Sequence, residues 1–520
     1  MHRFLLGLLA SIYLCPVGVC QPPTEPDGIQ GDGTSTVQER DRQPRTQTEE
    51  IEELKANLRQ IHERLKRLEL PSDPAALSPP LGGPNAPYAS PTLPAVPPCQ
   101  DSPPTPMSAV WKDGLLVSSS NDDFRVHVGG LMHFDAGWNA AGNSVQFGSG
   151  GIGELQDGAY FRRANLRIDG TLYQHIEWLT EFDFANNVDN DTSSSTQPIG
   201  SPSFVNVWIA VNDLPLLGTV RTGWMKEPIG FEHLTSSRWL NFMERTPGVG
   251  TLNLRSPGIL MQNASDDERV TWAAGVYHVQ NDNFGFGVGD GQYAETGRIT
   301  WLPVFEDEGV ELLHVGFGAS HRHLNGDQID FKARPSVRSM PGVLEPPLAE
   351  TGTISGTTAD ELDCELVGVL GSWTFQSEYY CVFIHDAVFP NDAPPQGMAR
   401  GTLFYQGAYA EILYFLTGET RGYDRKDAVF SRVVPLHNFN FWDGFDGCGA
   451  WQVGLRYAYL DLQNKGVNGA TLNDFTLGLN WLLNPNAKVQ WNLAIDHRES
   501  TPPGSSGWTY IFGTSVALDF

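Results

Sequence analysis

The stretch from Trp508 to Phe520, WTYIFGTSVALDF, constrains the fold more than any other part of the chain. Tyr510, Phe512, Val516, Leu518 and Phe520 share one face, with only Thr514 interrupting the apolar row. Thr509, Gly513, Ser515 and Asp519 take the other face, along with Ile511 and Ala517. Successive side chains of a strand point to opposite sides, so this is a strand with one greasy and one mainly polar face. At about a dozen residues it is long for a soluble sheet and right for a tilted strand that crosses a bilayer. An edge strand of a soluble sheet shows the same alternation, and the rest of the chain has to decide between the two.

The preceding segments repeat the pattern. Val489, Trp491, Leu493 and Ile495 alternate with Gln490, Asn492, Ala494 and Asp496. Phe475, Leu477, Leu479, Trp481 and Leu483 alternate with Thr476, Gly478, Asn480 and Leu482, and Val453, Leu455, Tyr457 and Tyr459 with Gln452, Gly454, Arg456 and Ala458. Trp and Tyr recur on the greasy face near strand ends, where a bilayer interface would lie. Sixteen strands are expected, near 124–138, 157–173, 175–187, 204–213, 218–226, 256–263, 269–280, 292–302, 311–323, 361–371, 373–385, 402–417, 451–462, 471–483, 486–497 and 508–520. The fold class is all-β, a 16-stranded antiparallel transmembrane barrel occupying 110–520, whose even count puts both barrel ends on one side. Three connections, Glu227 to Arg255, Leu324 to Asp360 and Gly418 to Ala450, are too long for simple turns. Folded inward, they would narrow a water-filled lumen.

Ahead of the barrel the character changes several times. Phe4 to Val19 is apolar and short, follows Arg3 and contains Pro16, which reads as a secretory signal over 1–20. Residues 21–48 are polar and rich in Gly, Pro and Thr, the composition of a disordered segment. Over 49–70, Ile51, Leu54, Leu58, Ile61, Leu65 and Leu68 follow heptad spacing, which gives a short coiled-coil helix or a single amphipathic helix. Residues 71–109 form a Pro-rich linker.

The net charge is -27, and residues 110–520 alone carry 25 Lys and Arg against 48 Asp and Glu. Such a balance argues against nucleic acid as a partner. No Cys/His spacing for structural zinc is present among the 6 Cys. Cys364 and Cys381 are nearly symmetric about the turn Ser372-Trp373, so they are either a cross-hairpin disulfide or two independent small apolar residues. His321 and His323 share a face but do not complete a metal site, and no cofactor is implied.

Two blocks resemble the phosphate-selective porin O and P family: AYFRRANLRIDGTLYQHIEWLTEFDFANN from Ala159 and VRTGWMKEPIGFEHLTSSRWLNFMERT from Val220. Weaker similarity lies in GRITWLPVF at Gly297, FLTGETRGYD at Phe415 and GAWQVGLRYAYLDL at Gly449. The resemblance implies a homotrimeric outer-membrane channel for small anions such as phosphate or polyphosphate, with basic residues lining the lumen. Phe520 resembles the C-terminal signature of bacterial outer-membrane barrels, which implies the barrel assembly machinery as a partner. The N-terminal segment would then be periplasmic.

By the family match Arg162 and Arg163 are candidates for constriction contacts. Strict alternation puts only one of them in the lumen, so the other needs a bulge or a strand end. Arg167 and Arg221 alternate inward, while Lys226, Arg238 and Arg245 belong to a strand end and loop, as candidates for the eyelet. Arginine suits phosphate because its planar fork pairs two oxygens. The competing reading for each is an ion pair, with Arg167 and Glu181 the obvious case. Inner-face acids Glu177, Glu181, Asp183, Glu365 and Glu378 put phosphate specificity in question. Two alternatives stay open: a weakly selective diffusion porin with an envelope-tethering coiled coil, and an outer-membrane barrel hydrolase, for which no nucleophile constellation is visible.

Overall fold

A computed structural model describes residues 105–520, apart from 186–201, 249–254, 280–291, 325–327, 343, 389–398, 441–446 and 502. The chain divides into two units, Met1–Gln100 and Asp101–Phe520. The signal, the polar segment, the coiled coil and nearly all of the linker lie outside the described residues.

Sixteen long strands form one wall: β1 Phe124–Ala141, β2 Gly158–Leu172, β3 Ile176–Asp183, β4 Ser203–Leu214, β5 Gly218–Lys226, β6 Arg255–Ala264, β7 Val270–His278, β8 Tyr293–Glu306, β9 Glu311–His323, β10 Thr358–Leu370, β11 Trp373–Val388, β12 Ala399–Phe415, β13 Ala450–Asn464, β14 Val467–Asn484, β15 Ala487–Glu499 and β16 Gly507–Asp519. Each pairs antiparallel with its sequence neighbour. The last closes on the first, with Thr509 opposite Ala141 and Asp519 opposite Leu131. All sixteen expected strands are present. A short hairpin, Met107–Trp111 with Leu115–Ser119, pairs with the start of β1. It begins inside the stretch read as linker to 109.

Connections after even-numbered strands are mostly tight, so one rim is a turn rim and the other a loop rim. Tyr173, Gln174 and His175 join β2 to β3, the first two at φ of 50° and 66°. The long exception on the turn rim lies between β12 and β13. The chain from β16 and the hairpin before β1 sit on the turn rim too, as an even count requires.

The wall is apolar outside and polar inside. On β16 Tyr510, Phe512 and Val516 are exposed, while Thr509 and Ser515 are buried. Gln490, Asn492 and Asp496 on β15 are buried as well. Stacked aromatics mark both rims on the outer face: Trp451 lies 5.0 Å from Trp481 near the turns, and Trp138 lies 5.8 Å from Phe512 near the loops. This is the aromatic-girdle pattern of a barrel in a bilayer.

Of the two readings of Cys364 and Cys381, the structure has no disulfide between them. Strand register sets Cys364 opposite Tyr379 and Cys381 opposite Leu362. The two cysteines are therefore diagonal, about 7–8 Å apart by sheet geometry, which is wider than a disulfide spans.

Candidate functional site

The connection from β5 to β6 folds into the lumen and crosses it. It is tied down by the wall at several points. Glu227 accepts from Ser256 and Thr296 (both 2.9 Å) and pairs with Arg322 at 2.5 Å. The backbone N–H groups of Phe231 and Glu232 donate to Glu378 on β11. Asn241 donates to Glu411, and the Met243 N–H donates to Asn492 at 2.8 Å. Phe242 packs beneath Arg456, whose guanidinium carbon lies 4.6 Å from the ring centre.

Arg162 and Arg163 hold the far end of this segment. The register shifts between His133 and Phe134, so that Arg163 pairs with His133 and Phe161 with Phe134. Arg162 is the extra residue of a bulge, which turns two consecutive arginines inward. Arg162 forks onto both Glu244 oxygens, and Arg163 reaches Glu244 at 3.6 Å. Burial alone would raise the Glu244 carboxyl; the Arg162, Arg338 and Arg163 guanidiniums outweigh it and hold the group well below the usual carboxylate range.

Two further segments enter the lumen. Between β9 and β10, Ser336 donates to Asp474 and Ser339 to the Gln156 carbonyl, each at 2.7 Å, while Val337 is fully buried. From the turn rim, the β12–β13 connection places Phe430 against Phe231 and brings Tyr423 within 2.8 Å of His314. Its Arg432 lies over Trp239 and pairs with Asp519. All three long connections therefore narrow the lumen, and from both rims.

What they leave open is a cavity of about 290 Å³. Its charged lining is Arg167, Arg221, Lys226, Arg238, Arg255, Arg298 and Lys426 against Glu181 and Asp427. Some of these cations are balanced. Arg167 donates to Asp169 at 2.7 Å, Arg238 reaches Glu181 at 3.4 Å, and Arg298 forks onto Glu365 at 2.8 and 2.7 Å. Others are not. Arg221 stacks on Trp208, 4.1 Å from the ring centre, with no carboxylate in ion-pair reach among the described residues. Lys226 donates to the carbonyls of His233, Leu234 and Thr235 and likewise meets no carboxylate there. The three carbonyls hold that side chain in place. The cavity is thus locally positive inside an acidic barrel.

Of the residues singled out from sequence, Arg167, Arg221, Lys226 and Arg238 share this cavity. Arg162, Arg163 and Arg245 do not line it. Arg245 donates to the carbonyls of Glu232 (3.0 Å) and Thr235 (2.7 Å), holding the inward segment together. The expected Arg167–Glu181 pair is opposed in register, but Arg167 turns to Asp169 and Glu181 accepts from Asn165, Asn206 and Arg238. Arg255, Arg298 and Lys426 are lining cations that sequence reasoning missed. Arg298 alternates inward with Thr296 and Thr300 and was legible by period; Lys426, in a connection, carried no such signal. The inner-face acids are largely occupied. Asp183 accepts the Ala164 and Ala185 N–H groups, Glu365 takes Arg298 and His314, and Glu378 holds the inward segment.

The model of the phosphate-selective porin O and P family matches residues 135–503. Over 541 aligned positions, covering 99% of this chain and 97% of the relative, an uncharacterised protein of Caulobacter vibrioides is 26% identical. Porin O of Pseudomonas aeruginosa is 25% identical over 411 residues, covering 73% of this chain and 84% of its own. Among solved structures, an anion-selective porin from Comamonas acidovorans is 11% identical, with 76% of this chain and 100% of the other covered and a TM-score of 0.43.

Proposed function

Because the chain belongs to the phosphate-selective porin O and P family, we propose that its basic lumenal cavity selects small anions, phosphate among them, for passive diffusion across the outer membrane. The molecule is an outer-membrane β-barrel porin, a channel rather than an enzyme. The observation that carries the anion reading is Arg221 and Lys226 facing the cavity with no carboxylate in ion-pair reach among the described residues. An anion entering there meets local positive potential. The balanced Arg167 and Arg238 add weaker sites, each favourable to enter and not hard to leave. Arg221 is held flat by Trp208, so its fork is pre-oriented for two oxygens of a phosphate.

Homotrimeric assembly and delivery by the barrel assembly machinery through Phe520 belong to the same reading. The apolar outer wall supports the first; the position of Phe520 on the closing seam supports the second. The balanced pairs at Arg167, Arg238 and Arg298 favour a second reading, a weakly selective channel. Single-channel recording in planar bilayers under a KCl gradient decides. We expect an anion-selective reversal potential, with phosphate reducing the chloride current at millimolar concentration or below. A cation-selective reversal potential would end the anion reading and leave the porin identity intact. A reversal potential near zero, unaffected by phosphate, selects the weakly selective channel.

A further inference from the structure

We propose that Asp363, Glu365 and Glu378 bind a divalent cation of the calcium type, which pins the inward β5–β6 segment to the wall. The three carboxylates are buried, and one oxygen of each lies within 4.8 Å of the others. They come from adjoining strands: Asp363 and Glu365 share the inner face of β10, and Glu378 is directly opposite Glu365 on β11.

The charges do not balance without a further cation. Arg298 forks onto Glu365, and the His314 ring lies 2.9 Å from the same carboxylate. Among the described residues Glu378 accepts only from uncharged donors: the N–H groups of Phe231 and Glu232 and the Tyr409 hydroxyl. Asp363 is 3% exposed, and its Oδ2 accepts no hydrogen bond among the described residues. One guanidinium therefore faces three carboxylates, leaving an excess of two negative charges in a buried volume. Like charges so placed cannot all stay ionised unpaired.

Calcium fits the spacing. It takes 6–8 oxygens at about 2.3–2.6 Å in irregular geometry, so two of its ligands stand up to about 5 Å apart. Magnesium asks for a tighter octahedron and keeps more of its water. Each of Glu365 and Glu378 accepts three hydrogen bonds here, leaving about one of the four acceptor sites of a carboxylate. Asp363 has an oxygen open, and water would complete the shell. Because Glu378 also carries the Phe231 and Glu232 backbone, a cation there fixes the inward segment.

The test uses the full chain, purified in detergent, stripped with EDTA and titrated with CaCl2 by calorimetry. We expect about one saturable site per chain, weakened at least tenfold in Asp363→Asn and unchanged in Asp213→Asn, an exposed acid elsewhere. Absence of saturable uptake by the unsubstituted chain, or equal affinity in Asp363→Asn, overturns the proposal. Thermal unfolding gives a second measure that does not need the variant to assemble. CaCl2 should raise the midpoint of the unsubstituted chain above that in KCl of equal ionic strength. Equal midpoints mean that a proton, not a cation, balances the cluster, and the proposal falls.

Discussion

Arg162 and Arg221 both enter the lumen, and their partners give them different work. Arg162 is buried and forked onto Glu244, so its charge is spent on holding the inward segment. Arg221 has a ring beneath it and, among the described residues, no carboxylate in ion-pair reach. Arg221→Ala should therefore move the reversal potential in a salt gradient toward zero, and Arg221→Lys should keep most of the anion preference. A reversal potential unchanged in Arg221→Ala would assign selectivity elsewhere. Arg162→Ala leaves Glu244 buried beside the more distant Arg163, 3.6 Å away, and Arg338. Breaking a buried pair in this way costs about 3–5 kcal/mol. It should appear as a lower unfolding midpoint and noisier open-channel current, with selectivity little altered. The motif FRRA named both arginines as candidates for constriction contacts, with a bulge or a strand end needed for both to face inward; the bulge is there, and it sets both on Glu244 and not on the cavity. Whether a bulge forms is decided by the register of a partner strand 30 residues away.

At the scale of elements, the strands were legible because period-2 alternation is local. Each of β13 to β16 announces its two faces within a dozen residues. The inward segments were legible only as excess length. Where they dock depends on wall residues far off in sequence, such as Asp474 for Ser336 and Asn492 for Met243. Glycine makes one docking place visible. A Cβ on Gly513 would lie 2.3 Å from Val337 Cγ1 and 3.2 Å from Met243 Cε, so β16 offers a bare patch to two inward segments at once. Gly513→Val should displace them and raise single-channel conductance while the heat-modifiable gel shift of a folded barrel is kept. Unchanged conductance would mean that neither segment limits flow. The β9–β10 segment also carries a titration. Burial pushes the Glu345 carboxyl up to about 7, against the opposing pull of Arg338 and the Ser339 N–H. A raised acid pKa means that the folded form holds its proton longer than the unfolded one. Docking is therefore firmest below about 4.5, weakens as pH rises to about 7, and is level above that. Current fluctuations should grow across that window, and Glu345→Gln should remove the dependence.

For the whole molecule, the acidic composition and the anion reading are compatible because many of the acids are placed away from the cavity, where Glu181 and Asp427 face seven cations. Glu378 and Glu411 dock the β5–β6 segment, Glu365 backs Arg298, and Asp266, Asp267 and Glu268 lie in the turn between β6 and β7. A count of charges could not separate these from the cavity lining, since the separation is made by the folded segments. Within the described residues the barrel closes by pairing β16 with β1. Deleting residues 22–106 should leave conductance intact and weaken only attachment to the envelope; loss of the open channel would give that region a part in the pore. Closure depends instead on the seam between β16 and β1. The Phe520 N–H donates to the Gly130 carbonyl at 3.1 Å, and the Gly130 N–H donates back to Phe520 at 2.6 Å. The Phe520 ring covers Gly130 so closely that a Cβ there would lie 2.8 Å from Cζ. Gly130 thus supplies the room and Phe520 the apolar cover at the point where the sheet meets itself. Gly130→Val and Phe520→Ala attack the same contact from opposite sides. Both should lower the yield of folded barrel in the outer membrane, and the barrels that do form should conduct normally, because the seam lies on the outer wall and the cavity on the inner one. Normal yield in both variants would show that the backbone ladder alone closes the barrel.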